Sequence, residues 1–182
     1  PCSGSFVLTD INTGKVKALV SYPGYDANQI NNVSYYASLI NNSSSPLYNR
    51  ATQQTLAPGS TFKPISAIAG LEEGVIDADT YITDYVEYTK VVPHANCWNS
   101  AGHGTINVEQ AIEYSCNYFF YEVGYRLGSK NNTTELNDST GLALLAKYAK
   151  MFGLDSVSGL ELPETTPRIS DESVVRSAIG QA

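Results

Sequence analysis

The chain has 182 residues, of which 42% are apolar and only 16% are charged, so it can form a domain with a hydrophobic core and is too apolar to be disordered throughout. Its 11 basic and 18 acidic residues give a net charge of −7, which repels phosphate backbones and anionic lipid and argues against nucleic-acid binding. No apolar run approaches the roughly 18 residues that would span a bilayer.

A β-hairpin is predicted at the start of the chain. Residues 6–10 and 16–22 alternate between apolar and polar side chains, and Asn12-Thr13-Gly14-Lys15 supplies a turn between them. Residues 27–50 are polar, so we expect mostly loop there, with a short helix around residues 35–40.

Five helices are predicted further along, because apolar residues recur at helical spacing and glycines follow several of the runs. They are expected at residues 60–73, 108–114, 118–127 and 139–152, with a short one after Ser170, and with Gly74, Gly128 and Gly153 as stops. Ser139 is expected to cap the fourth helix, after a polar loop at residues 129–138. No linker or repeat divides the sequence, so we expect one α/β unit.

The helix that begins near Ser60 carries one charge in apolar surroundings. From Ser60 to Leu71 nearly all side chains except Lys63 are small or apolar, which indicates a helix buried in a core. Burial favours the neutral form of a lysine and lowers its pKa. Ser60 lies one turn earlier at the helix N-terminus, where backbone N–H groups favour a developing negative charge. A serine, an adjacent base and an anion-stabilising helix end meet the requirements of acyl transfer through serine.

The alternative for this pair is that Ser60 only caps the helix and that Lys63 extends to solvent, since short S-x-x-K motifs recur by chance. Two features oppose the alternative. The helix offers no polar face along which a lysine could extend. Pro64 also removes a backbone donor from the first turn and leaves a carbonyl near Ser60 without its helical partner.

A second polar cluster, Ser115-Cys116-Asn117, lies between two predicted helices. Residues two apart point to different sides of a continuous helix, so Ser115 and Asn117 can cooperate only where the helix breaks. The apolar periodicity falls out of phase at this point, which predicts a break. The alternative is that Ser115 or Asn117 merely caps the second helix.

The two clusters match one known pattern jointly. Ser60-Thr61-Phe62-Lys63 is similar to the S-x-x-K motif of penicillin-binding proteins, and Ser115-Cys116-Asn117 to their S-x-N motif. Other segments also resemble their transpeptidase domain, namely 9–14 and 18–23 (its first hairpin), 47–51 (the approach to the nucleophile) and 178–181 (before a third motif). The resemblance spans nearly the whole chain and in detail is greatest to the class B, monofunctional transpeptidases of Gram-positive bacteria.

The resemblance implies an α/β (α+β) fold of the penicillin-binding-protein and serine β-lactamase type. Residues 1–182 would form the N-terminal portion of a single transpeptidase domain, comprising the helical part and the first hairpin of its sheet. The implied activity is that of a peptidoglycan D,D-transpeptidase, which crosslinks stem peptides through a serine acyl-enzyme and is the target of β-lactams.

The resemblance also implies a role for each motif residue. Ser60 attacks the D-Ala–D-Ala carbonyl, and neutral Lys63 takes the serine proton. Ser115 helps to pass that proton to the departing D-Ala, while the Asn117 amide holds a substrate carbonyl and steadies Lys63. The backbone N–H of Ser60 supplies half of the oxyanion hole. This chemistry requires no cofactor.

The family's third motif, K-[ST]-G, does not occur in the sequence, because neither Thr13-Gly14 nor Thr140-Gly141 follows a lysine. In the family that motif completes the oxyanion hole and binds the substrate carboxylate. We therefore expect a domain that is incomplete at its C-terminus, and a 182-residue chain that binds β-lactams poorly by itself.

Other functions remain open for this fold. A D,D-carboxypeptidase or a β-lactamase would share the acyl-enzyme and use water as acceptor, although the sequence has no deacylating glutamate signature. A β-lactam sensor would be acylated without turnover, and a non-catalytic scaffold would not be acylated.

Cys97, His103 and Cys116 are predicted as ligands of a structural zinc ion, with Asp84 or His94 as the fourth ligand. Some elongation-type relatives hold a metal beside the S-x-N motif, and a metal here would pin the loop that carries it. The alternatives are a Cys97–Cys116 disulfide, or two small buried thiols and a surface histidine. With Cys2 the cysteine count is odd and too low for a disulfide scaffold.

The resemblance further implies partners and a location. The partners are peptidoglycan stem peptides ending in D-Ala-D-Ala, β-lactam antibiotics and other cell-wall synthesis proteins, with no nucleic acid. We expect the protein at the extracytoplasmic face of the bacterial cell membrane, anchored by a segment outside these 182 residues.

Overall fold

The structure, a computed structural model, describes residues 2–130 and 135–181. It divides into two compact units, the first comprising residues 1–55 and 157–166 and the second residues 56–156 and 167–182. The first unit is discontinuous because the chain returns to it late, so no linker marks the division in the sequence. The assignment of residues 1–182 to a single transpeptidase domain stays a prediction.

The predicted hairpin is confirmed in the first unit. Strand β1 (Gly4–Thr9) pairs antiparallel with β2 (Val16–Tyr22). Asp10 fixes the turn, since its Oδ1 accepts hydrogen bonds from two backbone N–H groups within the next three residues. Large apolar side chains of this hairpin remain exposed, among them Phe6 and Val20, which are 57% and 50% exposed.

Helices of the first unit follow Asn residues that cap them. Helix α1 (Val33–Ile40) agrees with the predicted short helix, and a 3-10 turn (Ala27–Gln29) precedes it. Helix α2 (Arg50–Gln53), capped by Asn49, was not expected. It contacts the hairpin through Ser21, whose hydroxyl donates to the Tyr48 carbonyl and accepts from the Arg50 N–H.

The second unit contains the remaining helices at nearly the predicted places. A 3-10 turn (Gly59–Phe62) leads directly into α3 (Lys63–Glu72). The later helices are α4 (Val108–Glu113), α5 (Asn117–Gly128), α6 (Asp138–Met151) and α7 (Val174–Ser177).

Two boundary predictions are wrong. Asn137 caps α6 in place of Ser139, because the Asn137 side chain accepts from the Thr140 N–H and α6 begins one residue later. Gly128 is the last residue of α5 and does not follow it. A Cβ there would overlap the Leu136 side chain, so Gly128 serves close packing. Residues 131–134 of the predicted loop lie outside the described residues.

Short strands connect α3 to α4. They are β3 (Ile82–Asp84), β4 (Glu87–Tyr88), β5 (Ala95–Asn96) and β6 (Gly104–Ile106). β3 pairs antiparallel with β6, which sets Asp84 opposite Gly104, and β4 pairs with β5. The first pairing brings residue 84 beside residue 103.

Helix α5 is the centre of the second unit and packs against α3, α6 and α7. Its Phe119, Phe120, Val123 and Leu127 are at most 1% exposed. Such burial stabilises the fold by about 1.5–3 kcal/mol for each large apolar side chain. At Gly124 a Cβ would overlap the Val174 carbonyl, so a glycine is needed where α7 approaches.

Glu122 is a buried carboxylate on α5 with three partners. Its Oε2 accepts from the Tyr88 hydroxyl and the Lys90 amine, each at 2.8 Å, and its Oε1 accepts from Arg126 Nε at 2.9 Å. Burial acts to raise the pKa of Glu122, but these hydrogen bonds bring it below the usual value. Glu122 therefore stays charged and ties α5 to β4.

Among the described residues, no helix is both long and apolar enough to cross a membrane.

Candidate active site and adjoining thiol cluster

Ser60 lies in the 3-10 turn before α3, with its side chain exposed. Its position in the first helical turn leaves its backbone N–H without a partner inside the helix. The segment after α7 holds this turn in place, since the Gly59 N–H donates to the Gly180 carbonyl at 2.9 Å. Gly180 has a φ of 70°, and a Cβ there would overlap the Gly59 carbonyl. Close approach of two backbones thus fixes the segment that carries Ser60.

Lys63 is buried, with only 2% of its surface exposed. Its amine donates to the Ser115 carbonyl at 2.6 Å and to Asn117 Oδ1 at 2.7 Å, and lies 3.0 Å from Ser115 Oγ. Lys63, Ser115 and Asn117 are called the lysine cluster below. The alternative in which Lys63 extends to solvent is wrong, because the amine is buried against the S-x-N segment.

The lysine cluster satisfies the Lys63 amine in either protonation state. A charged amine has three N–H donors for the three oxygens around it. A neutral amine has two N–H donors and one lone pair. The two carbonyl oxygens take the two donors, and the Ser115 hydroxyl can donate to the lone pair. Burial lowers the pKa of Lys63 from 10.5 to about 8, although electrostatic interaction with the nearby Cys116 and Cys97 acts in the opposite direction. A useful fraction of Lys63 is therefore neutral near pH 7 to 8.

The predicted helix break at Ser115 is confirmed. Helix α4 ends at Glu113, and Ser115 has a φ of 52°, a left-handed conformation that costs about 1–3 kcal/mol in a non-glycine residue. The break turns Ser115 and Asn117 toward one amine, which a continuous helix could not do. Cys116 caps α5, since its Sγ accepts from the Phe119 N–H at 3.4 Å. The alternative that Ser115 or Asn117 is merely the cap is therefore wrong.

Ser60 is the one motif residue outside the lysine cluster. Its hydroxyl makes no hydrogen bond with any residue that the structure describes, and the link between Ser60 and Lys63 is a backbone one, from the Lys63 N–H to the Ser60 carbonyl. Within the described part of the chain, no side chain caps this turn either. The structure thus brings Lys63, Ser115 and Asn117 together and leaves the Ser60 hydroxyl open at the helix start.

Asp84, Cys97, His103 and Cys116 form a second group, called the thiol cluster below. Their ligand atoms all lie within 4.8 Å of one another. Cys97 Sγ lies 3.9 Å from Cys116 Sγ and 3.5 Å from His103 Nδ1, and Asp84 Oδ2 lies 3.4 Å from Cys116 Sγ. All three cysteines of the chain are free thiols, so the disulfide alternative is wrong in this structure.

The fourth group of the cluster is Asp84, and His94 is not part of it. His94 Nδ1 lies 2.9 Å from Glu87 Oε1 at the surface, while Asp84 Oδ2 lies 2.7 Å from His103 Nδ1. His103 is buried, so the alternative of a surface histidine is wrong as well. The pairing of β3 with β6 is the cause, since it brings Asp84 next to His103.

Charge in the thiol cluster is divided unequally. A hydrogen bond from the Cys116 thiol lowers the pKa of Cys97 to about 6, and the same contact together with burial raises the pKa of Cys116. Burial acts to raise the pKa of Asp84, but hydrogen bonds from His103 and the Val86 N–H bring it below the usual value. The cluster therefore offers a carboxylate and a thiolate near neutral pH.

The spacing of these atoms fits a tetrahedral zinc ion. With zinc–sulfur bonds of about 2.3 Å, two sulfur ligands are about 3.8 Å apart, and the two thiols here are 3.9 Å apart. His103 Nδ1 faces the cluster and is the atom that would bind the ion, whereas the buried His103 Nε2 has no hydrogen-bond partner among the described residues. Asp84 and His103 would have to separate slightly from their 2.7 Å hydrogen bond.

Sequence reasoning missed two residues at this site. Trp98 donates its indole N–H to the Ser115 carbonyl at 3.0 Å and to the Tyr114 carbonyl at 3.3 Å. Val86 has a φ of 71°, which is strained for a β-branched residue, and its carbonyl accepts from the Cys97 N–H. Trp98 is the only tryptophan of the chain and follows Cys97 directly, which is the signal that could have drawn attention to it.

Comparison with known proteins gives the same family as the motifs. Residues 4–182 match the family described as the penicillin binding protein transpeptidase domain. The peptidoglycan D,D-transpeptidase MrdA of Escherichia coli K12 is 35% identical over 163 residues, which are 87% of this chain and 24% of MrdA. The chain thus spans about a quarter of the length of the curated relatives that it matches.

Two solved structures share this fold. Penicillin-binding protein A of Mycobacterium tuberculosis, as a ceftriaxone acyl-enzyme complex, is 31% identical with a TM-score of 0.79, over 100% of this chain and 41% of that one. A chain of a peptidoglycan synthase complex is 28% identical with a TM-score of 0.83, over 98% of this chain and 32% of that one. The expected fold class is confirmed, and the chain belongs to the penicillin-binding protein transpeptidase family, class B.

Proposed function

We propose that the protein containing this chain is a peptidoglycan D,D-transpeptidase that works through a serine acyl-enzyme. The observation that carries the proposal is the buried Lys63 amine, with its lowered pKa, held by Ser115 and Asn117 at the start of the helix that presents Ser60. Curated relatives such as MrdA carry this activity in their names. PbpA of M. tuberculosis, 33% identical over 96% of this chain, is also named a D,D-transpeptidase.

In the proposed reaction, Ser60 Oγ attacks the carbonyl carbon of the D-Ala–D-Ala bond. Neutral Lys63 takes the hydroxyl proton directly or through Ser115, whose Oγ lies 3.0 Å from the amine. The C–N bond breaks, and the same proton reaches the departing D-Ala through Ser115. The amine of a neighbouring stem peptide then attacks the ester carbonyl, and the C–O bond to Ser60 breaks. The proton that the amine loses returns through Lys63 to Ser60 Oγ, and the new amide bond is the crosslink.

Asn117 and the helix start have supporting roles in this proposal. Asn117 Oδ1 accepts from Lys63, which leaves its amide N–H₂ to donate to a substrate carbonyl. The Ser60 N–H, at the first helical turn, donates to the developing oxyanion. The second oxyanion donor and the carboxylate-binding residue belong to the K-[ST]-G motif of the family, which does not occur in these 182 residues. We therefore propose that residues 1–182 alone acylate about a hundred- to a thousandfold more slowly than the full-length protein.

The proposed partners and location follow from the substrate. β-Lactams mimic D-Ala–D-Ala, and the M. tuberculosis relative is described as a ceftriaxone acyl-enzyme. Another relative belongs to a peptidoglycan synthase complex, which supports other cell-wall synthesis proteins as partners. Because peptidoglycan is crosslinked outside the cytoplasm, we propose that the protein acts at the extracytoplasmic face of the bacterial membrane.

Acylation by fluorescent penicillin tests the proposal in the full-length protein. The unsubstituted protein should give one adduct by intact mass, located on Ser60 by peptide mapping, and Ser60→Ala should give none. Ser43→Ala, which removes an exposed hydroxyl in the first unit, should acylate normally. An adduct on Ser115, or one that survives Ser60→Ala, would overturn the assignment.

Analysis of muropeptide products decides between the transpeptidase and the other functions. Crosslinked products support the transpeptidase, and trimmed stem peptides indicate a D,D-carboxypeptidase. Acylation without any product indicates a β-lactam sensor, and no acylation indicates a scaffold.

A structural metal is a second proposal, which the thiol cluster supports. Asp84, Cys97, His103 and Cys116 would hold a zinc ion that takes no part in the chemistry and fixes the break before α5. Elemental analysis of the full-length protein, purified without chelators, should find about one equivalent of zinc. Well under one equivalent, or a sulfur–sulfur bond of about 2.0 Å between the two cysteines, would refute it.

A further inference from the structure

The carbonyl of Ser115 accepts hydrogen bonds from two donors that come from different segments of the second unit. The Lys63 amine donates to it at 2.6 Å, and the indole N–H of Trp98 donates to it at 3.0 Å. A carbonyl oxygen has two lone pairs, so these two donors fill its capacity. Lys63 comes from α3 and Trp98 from the segment after β5, so Ser115 is held by two distant parts of the second unit.

Trp98 is well held for a side chain that is 64% exposed. Its ring meets the His103 ring edge-on at a centroid distance of 5.3 Å, and His103 stacks on Tyr114 at 6.0 Å. The residue before it, Cys97, contacts Cys116 through the two thiols. The pairs Cys97-Trp98 and Ser115-Cys116 therefore lie side by side, joined by a thiol contact and by an indole hydrogen bond.

Ser115 needs such support because its backbone is strained. Its φ of 52° lies in the left-handed region, where a residue with a side chain persists only if its surroundings hold it. The Ser115 N–H donates to the Ile112 carbonyl, and the Ser115 carbonyl is the group that Trp98 and Lys63 hold. Without the indole donor, the carbonyl and the hydroxyl of Ser115 could rotate relative to the Lys63 amine.

We propose that Trp98 is a positioning residue for the acylation step, which holds the strained Ser115 so that its hydroxyl faces the Lys63 amine. This inference rests on the proposed function, because Ser115 has a proton to pass only if Ser60 is acylated. Trp98 acts through Ser115 and has no part in breaking or forming bonds. Trp98 therefore raises the rate constant of acylation and does not change the affinity of the initial β-lactam complex.

Two replacements of Trp98 in the full-length protein test the role of the N–H. Trp98→Phe removes the donor and keeps an aromatic ring. Benzothienylalanine at position 98, in which sulfur replaces the N–H in a ring of nearly the same shape, removes the donor alone. Each should lower the acylation rate constant for benzylpenicillin about five- to tenfold, as expected for one lost hydrogen bond. The dissociation constant of the initial complex and the zinc content should stay unchanged, and the melting temperature should fall by no more than about 4 °C.

Tyr81→Phe is the matched control, because Tyr81 is an aromatic residue of the same unit and 59% exposed; it should acylate like the unsubstituted protein. An unchanged rate constant with benzothienylalanine would overturn the proposal, even if Trp98→Phe fails to fold. A lower rate constant accompanied by an equal fold-loss of affinity for the initial complex, or by a melting temperature that falls by much more than about 4 °C, would also overturn it, because that result indicates a structural role. If the unsubstituted protein is not acylated at Ser60, the proposed function and this inference both fail. If it is acylated at Ser60, the Trp98 variants test the inference alone.

Discussion

The lysine cluster and the thiol cluster are neighbours, because Cys116 of the thiol cluster lies between Ser115 and Asn117 in the sequence. They differ in how completely their polar groups satisfy one another. In the lysine cluster, two carbonyl oxygens and one hydroxyl surround one amine, which gives every N–H of the lysine a partner. In the thiol cluster, His103 Nε2 lacks a partner among the described residues, and two thiols face each other at 3.9 Å. A buried polar group without a partner costs about 1–3 kcal/mol. The first cluster is complete as it stands, whereas the second has one imidazole nitrogen that is unpartnered within the described part of the chain. The separation of its two sulfurs, and not that nitrogen, suits an added ion, because His103 Nδ1 is the atom that faces the cluster.

The largest expected effect comes from removing the centre of the lysine cluster. Lys63→Ala should lower the acylation rate constant of the full-length protein by about a thousandfold, because it removes the base and leaves the Ser115 carbonyl with one donor fewer. Stopped-flow acylation by benzylpenicillin measures this rate. Lys15→Ala removes an exposed lysine and should change nothing. A Lys63→Ala rate within tenfold of the unsubstituted protein would mean that another group takes the serine proton.

A second substitution tests whether the turn before Ser60 must be held in place. Gly180→Ala should lower acylation about tenfold or more, because the new Cβ overlaps the Gly59 carbonyl and displaces the turn. Gly74→Ala is the matched control, since Gly74 also has a positive φ, of 67°, but open space around it. Both should lose stability from the left-handed conformation, by about 1 kcal/mol. Equal acylation by the two variants would show that the contact with Gly59 is not needed.

The pH dependence of acylation tests whether the neutral form of Lys63 is the base. The base is the neutral form of Lys63, whose pKa is lowered to about 8, so the rate should rise about tenfold between pH 7 and pH 9 and then level off. The unfolded chain binds the lysine proton up to about pH 10.5, so Lys63 also makes the free energy of unfolding rise with pH between about 8 and 10.5. A rate that is flat from pH 6 to pH 9 would contradict a titrating lysine base.

Local pattern was sufficient to predict the hairpin, α3 and the break at Ser115. Each has a signal within a few residues: alternation around a turn, apolar residues on all sides of one lysine, and two helical segments out of phase. Helix α2 was missed because it has four residues and a single turn shows no periodicity. The cap of α6 was predicted wrongly because serine and asparagine both favour that position, so residue type does not distinguish Ser139 from Asn137.

Contacts between distant residues could not be predicted in the same way. Asp84 becomes the fourth member of the thiol cluster only because β3 pairs with β6, a register that short strands do not specify in sequence. Trp98 reaches the carbonyl of Ser115, seventeen residues later. The roles of Ser60, Lys63, Ser115 and Asn117 in the reaction, drawn from the family motifs, stay predictions.

The smallest expected effect on acylation comes from the thiol cluster, which should contribute to stability more than to chemistry. Removing the metal with a chelator, or replacing a ligand by Cys97→Ala, should lower the melting temperature by about 5–10 °C and the acylation rate only about threefold. The reason is that the ion would fix the segment before α5 without touching the Lys63 amine, which keeps its three partners. Cys2→Ala removes an exposed thiol and should leave both quantities unchanged. If Cys97→Ala binds as much zinc and melts at the same temperature as the unsubstituted protein, the thiol cluster is not a metal site.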